Sequence, residues 1–152
     1  MKKFVSLALA ACAVTLALPA AAQQFAKPED AIKYRQAAFT VMVAHFSRLG
    51  AMANGKIPFD AKVAAADADV VAAVNHLPFA GFVPGSDRGG NTEAKPEIWQ
   101  QRAKFDDDAK KMQEAVANLV TAAKSGSLDN LKTAFGPAGR ACKSCHDDFR
   151  QK

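Results

Sequence analysis

The chain has 152 residues, 49% of them hydrophobic, with 20 basic and 15 acidic side chains and a net charge of +5. No Lys/Arg stripe with interleaved aromatics runs through it, which argues against nucleic-acid binding. Part of the positive balance lies in a leader: Lys2 and Lys3 precede an uncharged apolar run over 4–18, and Pro19-Ala20-Ala21-Ala22 offers small residues for cleavage before Gln23. That is the layout of a secretory signal peptide over 1–22. The run is shorter than the roughly 20 residues a membrane span needs. Leu9-Ala10-Ala11-Cys12 resembles a lipobox, in which Cys12 would be acylated, but the apolar run continues past Cys12 and favours ordinary cleavage. The expected mature product is one domain over 23–152, about 130 residues, exported to the periplasm and free of the membrane. Without Lys2 and Lys3 the basic count falls from 20 to 18 against 15 acids, leaving +3.

Every long segment of the mature chain has a period near 3.6, and none alternates like a strand. The first helix is predicted from Pro28, with Glu29 and Asp30 near its positive end, and Ile32, Ala38, Phe39, Met42, Val43, Phe46 and Leu49 as its apolar line. Residues 50–58 are predicted to break it, leaving Met52 in a loop. A second, alanine-rich helix is predicted over 60–77, with Val63, Val70, Val74 and Leu77 inward. Residues 78–95 hold two Pro and four Gly, and a loop this long is usually functional or mobile.

The third helix is predicted from Pro96-Glu97 to about Ser125, with Ile98, Phe105, Met112, Val116, Leu119 and Val120 on one face and Gly126 ending it. The fourth begins at the cap Ser127. Leu128, Leu131, Phe135, Ala138, Cys142, Cys145 and Phe149 then alternate spacings of three and four, so both cysteines fall on an amphipathic stripe. Pro137 denies Thr133 a hydrogen bond and should kink this helix. The expected fold is all-α, an antiparallel four-helix bundle.

Cys142-Lys143-Ser144-Cys145-His146 has the Cys-x-x-Cys-His haem c attachment pattern, so the bundle is expected to carry a covalently attached haem. Residues three and four apart share a helix face, so both thiols can reach the vinyl groups of one porphyrin while His146 ligates its iron. Three rival readings are weaker. Structural zinc wants four ligands, a thioredoxin-like pair wants a preceding strand, and i, i+3 helix positions are poorly oriented for a disulfide. For a sixth ligand the candidates are Met42, Met52 and Met112. Met42 and Met112 lie on core stripes where packing is the default. His45 falls on another side of the first helix and reads as exposed, and His76 lies at the end of the second.

The chain is similar to the cytochrome c′ family, class II c-type cytochromes. The resemblance is carried by Phe25-Ala26-Lys27-Pro28-Glu29-Asp30-Ala31, Tyr34-Arg35-Gln36, Met42 through His45-Phe46, Lys95-Pro96-Glu97-Ile98-Trp99, Ala134-Phe135-Gly136 and the C-terminal attachment motif through Asp147. It implies a four-helix bundle, usually a homodimer, carrying one covalent haem c with five-coordinate iron. Phe39 falls where the family places a bulky apolar residue over the iron, and Phe82 matches a second aromatic beside the haem. Arg35 and Gln36 match positions at the propionate edge, Thr92 and Glu93 lie in the loop expected to cover that edge, and Arg150 matches a basic residue on the proximal side. The loop over 81–95 looks a few residues longer than in familiar members.

The function so implied is binding of nitric oxide or carbon monoxide and electron transfer with an unidentified redox partner. Enzyme chemistry is not expected, because the distal side offers no evident general base or charged donor pair. The alternative is a low-spin Met/His electron carrier with Met42 as sixth ligand.

Overall fold

The computed structural model describes residues 25–151. The predicted signal segment and Cys12 lie outside them. Four long helices, α1 (Pro28–Ala53), α2 (Ala61–Val74), α4 (Arg102–Lys124) and α5 (Leu128–Phe149), are joined by a 3₁₀ turn (Leu77–Gly81) and the one-turn α3 (Glu97–Gln100). They form an antiparallel four-helix bundle in the ring order α1–α2–α4–α5, each packing on its two neighbours in that ring. Among the described residues the only β pairing is an isolated bridge between Ala94 and Arg150.

Helix ends follow local chemistry. Pro28 opens α1 with Glu29 and Asp30 in its first turn. Asp60 caps α2, accepting from Lys62 N at 2.8 Å and Val63 N at 3.1 Å. Ser127 caps α5 through Asn130 N at 3.3 Å, and that helix runs on through Pro137.

Four expectations need correction. The first helix does not stop at Gly50 but continues to Ala53, and Met52 is a core residue 1% exposed. Gly50 is there to admit Phe135: a Cβ at this position would meet Phe135 Cζ at 2.4 Å, and that ring stacks on Phe46 at 4.7 Å. In α2 the buried stripe is Ala64, Asp67, Ala68 and Val71, whereas Val63 is exposed. Alanines occupy so many positions of this helix that its valines do not mark the inward side. Val43 of α1 is exposed for a similar reason, lying off the Ile32–Arg35–Met42–Leu49 face. The second helix ends at Val74 and the third is interrupted at Gln101, so single predicted segments become a helix plus a short turn.

Two hydrophobic clusters fill the bundle. One joins Leu49 and Met52 to Val71, Val116, Leu119 and Leu131. The other is aromatic and sits beneath the 82–95 loop, with Phe105 packed on Phe82 at 4.8 Å and on Phe149 at 5.4 Å. Trp99 Nε1 ties it to the loop by donating to Val83 O at 3.0 Å.

The 3₁₀ turn rests directly on α1. A Cβ at Gly81 would lie 2.7 Å from Ala31 O and 2.8 Å from Arg35 Cβ, so no side chain fits without moving backbone. Gly81→Ala is therefore expected to destabilise the protein by about 1–3 kcal/mol, the usual cost of overpacking. Guanidinium unfolding followed by far-UV circular dichroism measures it, and an unchanged midpoint would mean that the turn can lift off α1.

Candidate functional site

The stripe of α5 that carries Cys142 and Cys145 faces a cavity of about 1030 Å³. Ordinary small-molecule pockets run to about 300–1,000 Å³, so this one is large. Cys142, Cys145 and His146 line one side, and Arg35, Gln36, Phe39, Thr40, Met42 and Phe46 of α1 line another. Both thiols are free and half-buried. Burial raises the Cys142 pKa and pushes that of Cys145 up to about 11, so both are neutral thiols at neutral pH. Partial burial, and next the neighbouring Arg150 charge, lower the His146 pKa. A neutral imidazole keeps a nitrogen lone pair for a metal.

Phe39 is half-buried in the cavity wall, edge-on to Phe79 at 6.3 Å and to Phe82 at 6.5 Å. Phe82 lines the cavity as well, and the Arg35 guanidinium carbon lies 4.5 Å above its ring centre. Of the α1 lining residues beyond Gln36 only Thr40 is polar, and its hydroxyl donates to Gln36 O at 2.8 Å. That wall therefore offers an apolar surface.

The rim is polar and tied together. Gln36 Nε2 donates to Asn91 O at 2.5 Å. Thr92 Oγ1 accepts from Arg35 Nη2 at 2.7 Å and from Ala94 N at 3.2 Å. Arg150 pairs with Glu93, and Lys95 N and Gln151 N donate to Phe149 O and Glu93 O at 3.0 and 2.7 Å. The long loop expected to be functional or mobile is thus pinned to the end of α5.

Arg35, expected at the propionate edge, is bonded to protein groups of the loop. The side chain is 3% exposed, and Nη1 donates to Gly81 O and Ser86 Oγ at 2.9 and 2.7 Å while Nη2 donates to Ser86 O and Thr92 Oγ1, both at 2.7 Å. Its terminal nitrogens hold the loop. Burial lowers its pKa to about 10, against the opposing pull of Asp87, and it stays charged at neutral pH.

Every site residue singled out from the sequence lines this one cavity: Arg35, Gln36, Phe39, Phe82, Thr92, Glu93, Cys142, Cys145, His146 and Arg150. Met42 and Met112 line it too, while Met52 does not. His45 is not simply exposed. Its Nδ1 lies 2.7 Å from Oδ1 of the buried Asp67, whose other oxygen is 3.3 Å from Arg48 Nε. Sequence reasoning missed Ser86, for which no local signal exists, and Asp108, which does break the apolar stripe of α4 between Phe105 and Met112.

The residues fit a covalently attached tetrapyrrole. Two unpaired thiols one helical turn apart, an adjoining imidazole, apolar walls and a polar rim meet at one large cavity. Comparison with known proteins agrees, since the family model described as Cytochrome C' matches residues 30–150.

The chain belongs to the Cytochrome C' family. Cytochrome c' of Rubrivivax gelatinosus is 50% identical over 129 residues, covering 85% of this chain and 100% of that protein. The crystal structure of that Rubrivivax cytochrome c' superposes with a TM-score of 0.81 at 50% identity, covering 84% of this chain and 100% of that one. A nitric oxide complex of a mutant cytochrome c prime from Alcaligenes xylosoxidans is similar at 44% identity and a TM-score of 0.78, covering 85% of this chain and 99% of that one. Cytochrome c′ proteins carry covalently attached haem c, and haem c is the cofactor of this chain.

Replacing Arg35 by lysine keeps the charge but removes the planar fork that reaches both Ser86 and Thr92. Losing such bonds costs about 1–3 kcal/mol locally, equivalent to roughly ten- to hundredfold faster amide exchange. Arg35→Lys should show that acceleration across residues 82–94, measured by hydrogen–deuterium exchange, with α4 unaffected.

Proposed function

We propose that this chain is a periplasmic haem protein that binds nitric oxide, or carbon monoxide, and exchanges electrons, without turning its ligand over. Cys142 and Cys145 would form the thioethers, and His146 would be the single protein ligand to iron. When bound, the haem would supply a one-electron iron centre able to take a small ligand. Phe39 lines the facing α1 wall.

The observation that carries this reading is the asymmetry of the cavity. Thiols and imidazole stand on the α5 side, while α1 presents Phe39, Met42 and Phe46 and no free donor. A wall of that kind favours a small neutral ligand over water or an anion, which would have to shed hydration without new hydrogen bonds. Arg35, Gln36, Thr92 and Glu93 form the polar rim suited to the propionates, with Arg35 contributing fixed positive charge there. Arg150, next to His146 and paired with Glu93, is the basic residue of the proximal side.

The second reading, a low-spin carrier with a methionine ligand, draws on Met42, which is 7% exposed and lines the cavity one turn after Phe39. Absorption and resonance Raman spectra of the reduced protein separate the two. The expected signature is high-spin and five-coordinate, and Met42→Ala leaves it unchanged. A six-coordinate low-spin spectrum that Met42→Ala abolishes would establish the carrier instead. Phe39→Ala should accelerate carbon monoxide binding in stopped flow.

Export rests on the leader-like residues 1–22. Among the described residues no helix is long and apolar enough to cross a membrane. A homodimer is supported by apolar side chains left outward on α1 and α2, with Val41 43% and Val63 37% exposed. Introducing charge with Val63→Glu should shift the sedimentation coefficient towards that of a monomer.

A further inference from the structure

The cavity wall carries one carboxylate that none of these roles uses. Asp108 of α4 lines the cavity although it is only 9% exposed. Its place is set by helical spacing, since Phe105, Ala109, Met112 and Val116 line the same cavity and Asp108 falls among them.

Its partners do not cancel it. Lys104, one turn earlier, donates to Asp108 Oδ2 at 2.8 Å, but the same ammonium also pairs with Asp148 of α5. One positive charge is shared by two carboxylates. Lys111 stands farther off, 3.8 Å from Asp108 Oδ1, and is held at 2.5 Å by Asp107. The group therefore presents net negative charge to the cavity.

Cys145 lines the same cavity, so the sulfur that would carry one thioether shares it with this carboxylate. Oxidising a haem iron adds one positive charge to the cofactor, and a fixed negative charge in a water-poor cavity stabilises the more positive state.

We propose that Asp108, held in the cavity wall by Lys104, is a positioning residue for charge that lowers the reduction potential of the haem and favours its oxidised form. The inference rests on haem attachment at Cys142 and Cys145. It is independent of the iron's coordination number and of gas binding. The couple concerned is one-electron: ferric iron gains an electron to become ferrous, with no bond made or broken.

The test is a spectroelectrochemical titration of the haem-loaded protein, with an electrode supplying electrons through mediators. Asp108→Asn keeps an acceptor for Lys104 and should move the potential positive. Lys104→Met removes the compensating cation and should move it negative. Asp106→Asn, which neutralises an outward-facing carboxylate on the same helix, should leave it in place. Opposite signs for the first two variants are what a merely structural disturbance would not produce. If Asp108→Asn fails to mature, the sign of the Lys104→Met shift still decides. Unmoved potentials, shifts of equal sign, or an equal shift in Asp106→Asn overturn the inference. Covalent haem is checked first by mass and by the pyridine haemochrome spectrum, and a protein lacking it overturns the attachment reading and this inference together.

Discussion

A buried guanidinium organises the open end of this bundle. Placing Arg35 at 3% exposure costs hydration, and the structure compensates with four hydrogen bonds and a stacked ring, Phe82, at 4.5 Å. The loop after α2 is thereby given one path. It must bring Gly81, Ser86 and Thr92 to a single side chain of α1, which only a glycine at 81 permits. Phe82 then points into the cavity, and Asn91, Thr92 and Glu93 become its rim.

The rest of the molecule supplies rigid walls for that arrangement. Small residues let the helices approach on the far side of the bundle, where Ala64 and Ala68 of α2 are fully buried and Gly50 of α1 receives Phe135 of α5. Large aromatic rings take over beneath the loop, where Phe105 touches both Phe82 and Phe149. Between the two lies the space that α5 borders with its thiols. A bundle of uniform alanine-sized packing would have no such space, and one filled with aromatics would have closed it.

Charge is distributed with the same economy. Asp67, buried on α2, is approached by His45 and Arg48 of α1, and this triad, none of whose members lines the cavity, joins two helices. Asp108 belongs to the cavity itself, and Lys104 links it to Asp148 across the α4–α5 interface. In an apolar wall such a carboxylate is felt over longer distances than at the surface, where water screens it. Binding, redox tuning and helix docking are thus supported by different charged groups.

The chemistry of α5 was legible because it is local. Cys142, Cys145 and His146 need only helical spacing to share a face, and the stripe from Leu131 to Phe149 repeats that spacing against polar neighbours. Chain length and capping residues likewise determined four long helices. The inward side of α2 was hidden by its many alanines, and Gly50 resembled a break until its partner 85 positions away was in place. The contacts of Arg35 with Ser86 span 51 residues. Periodicity records how a segment would present its side chains, whereas the neighbour that receives them is chosen by packing. The helix that carries the Cys-x-x-Cys-His motif was therefore written in the sequence alone, and only the tertiary structure decided the rim, the loop's path and the acidic wall of the cavity that Cys145 lines.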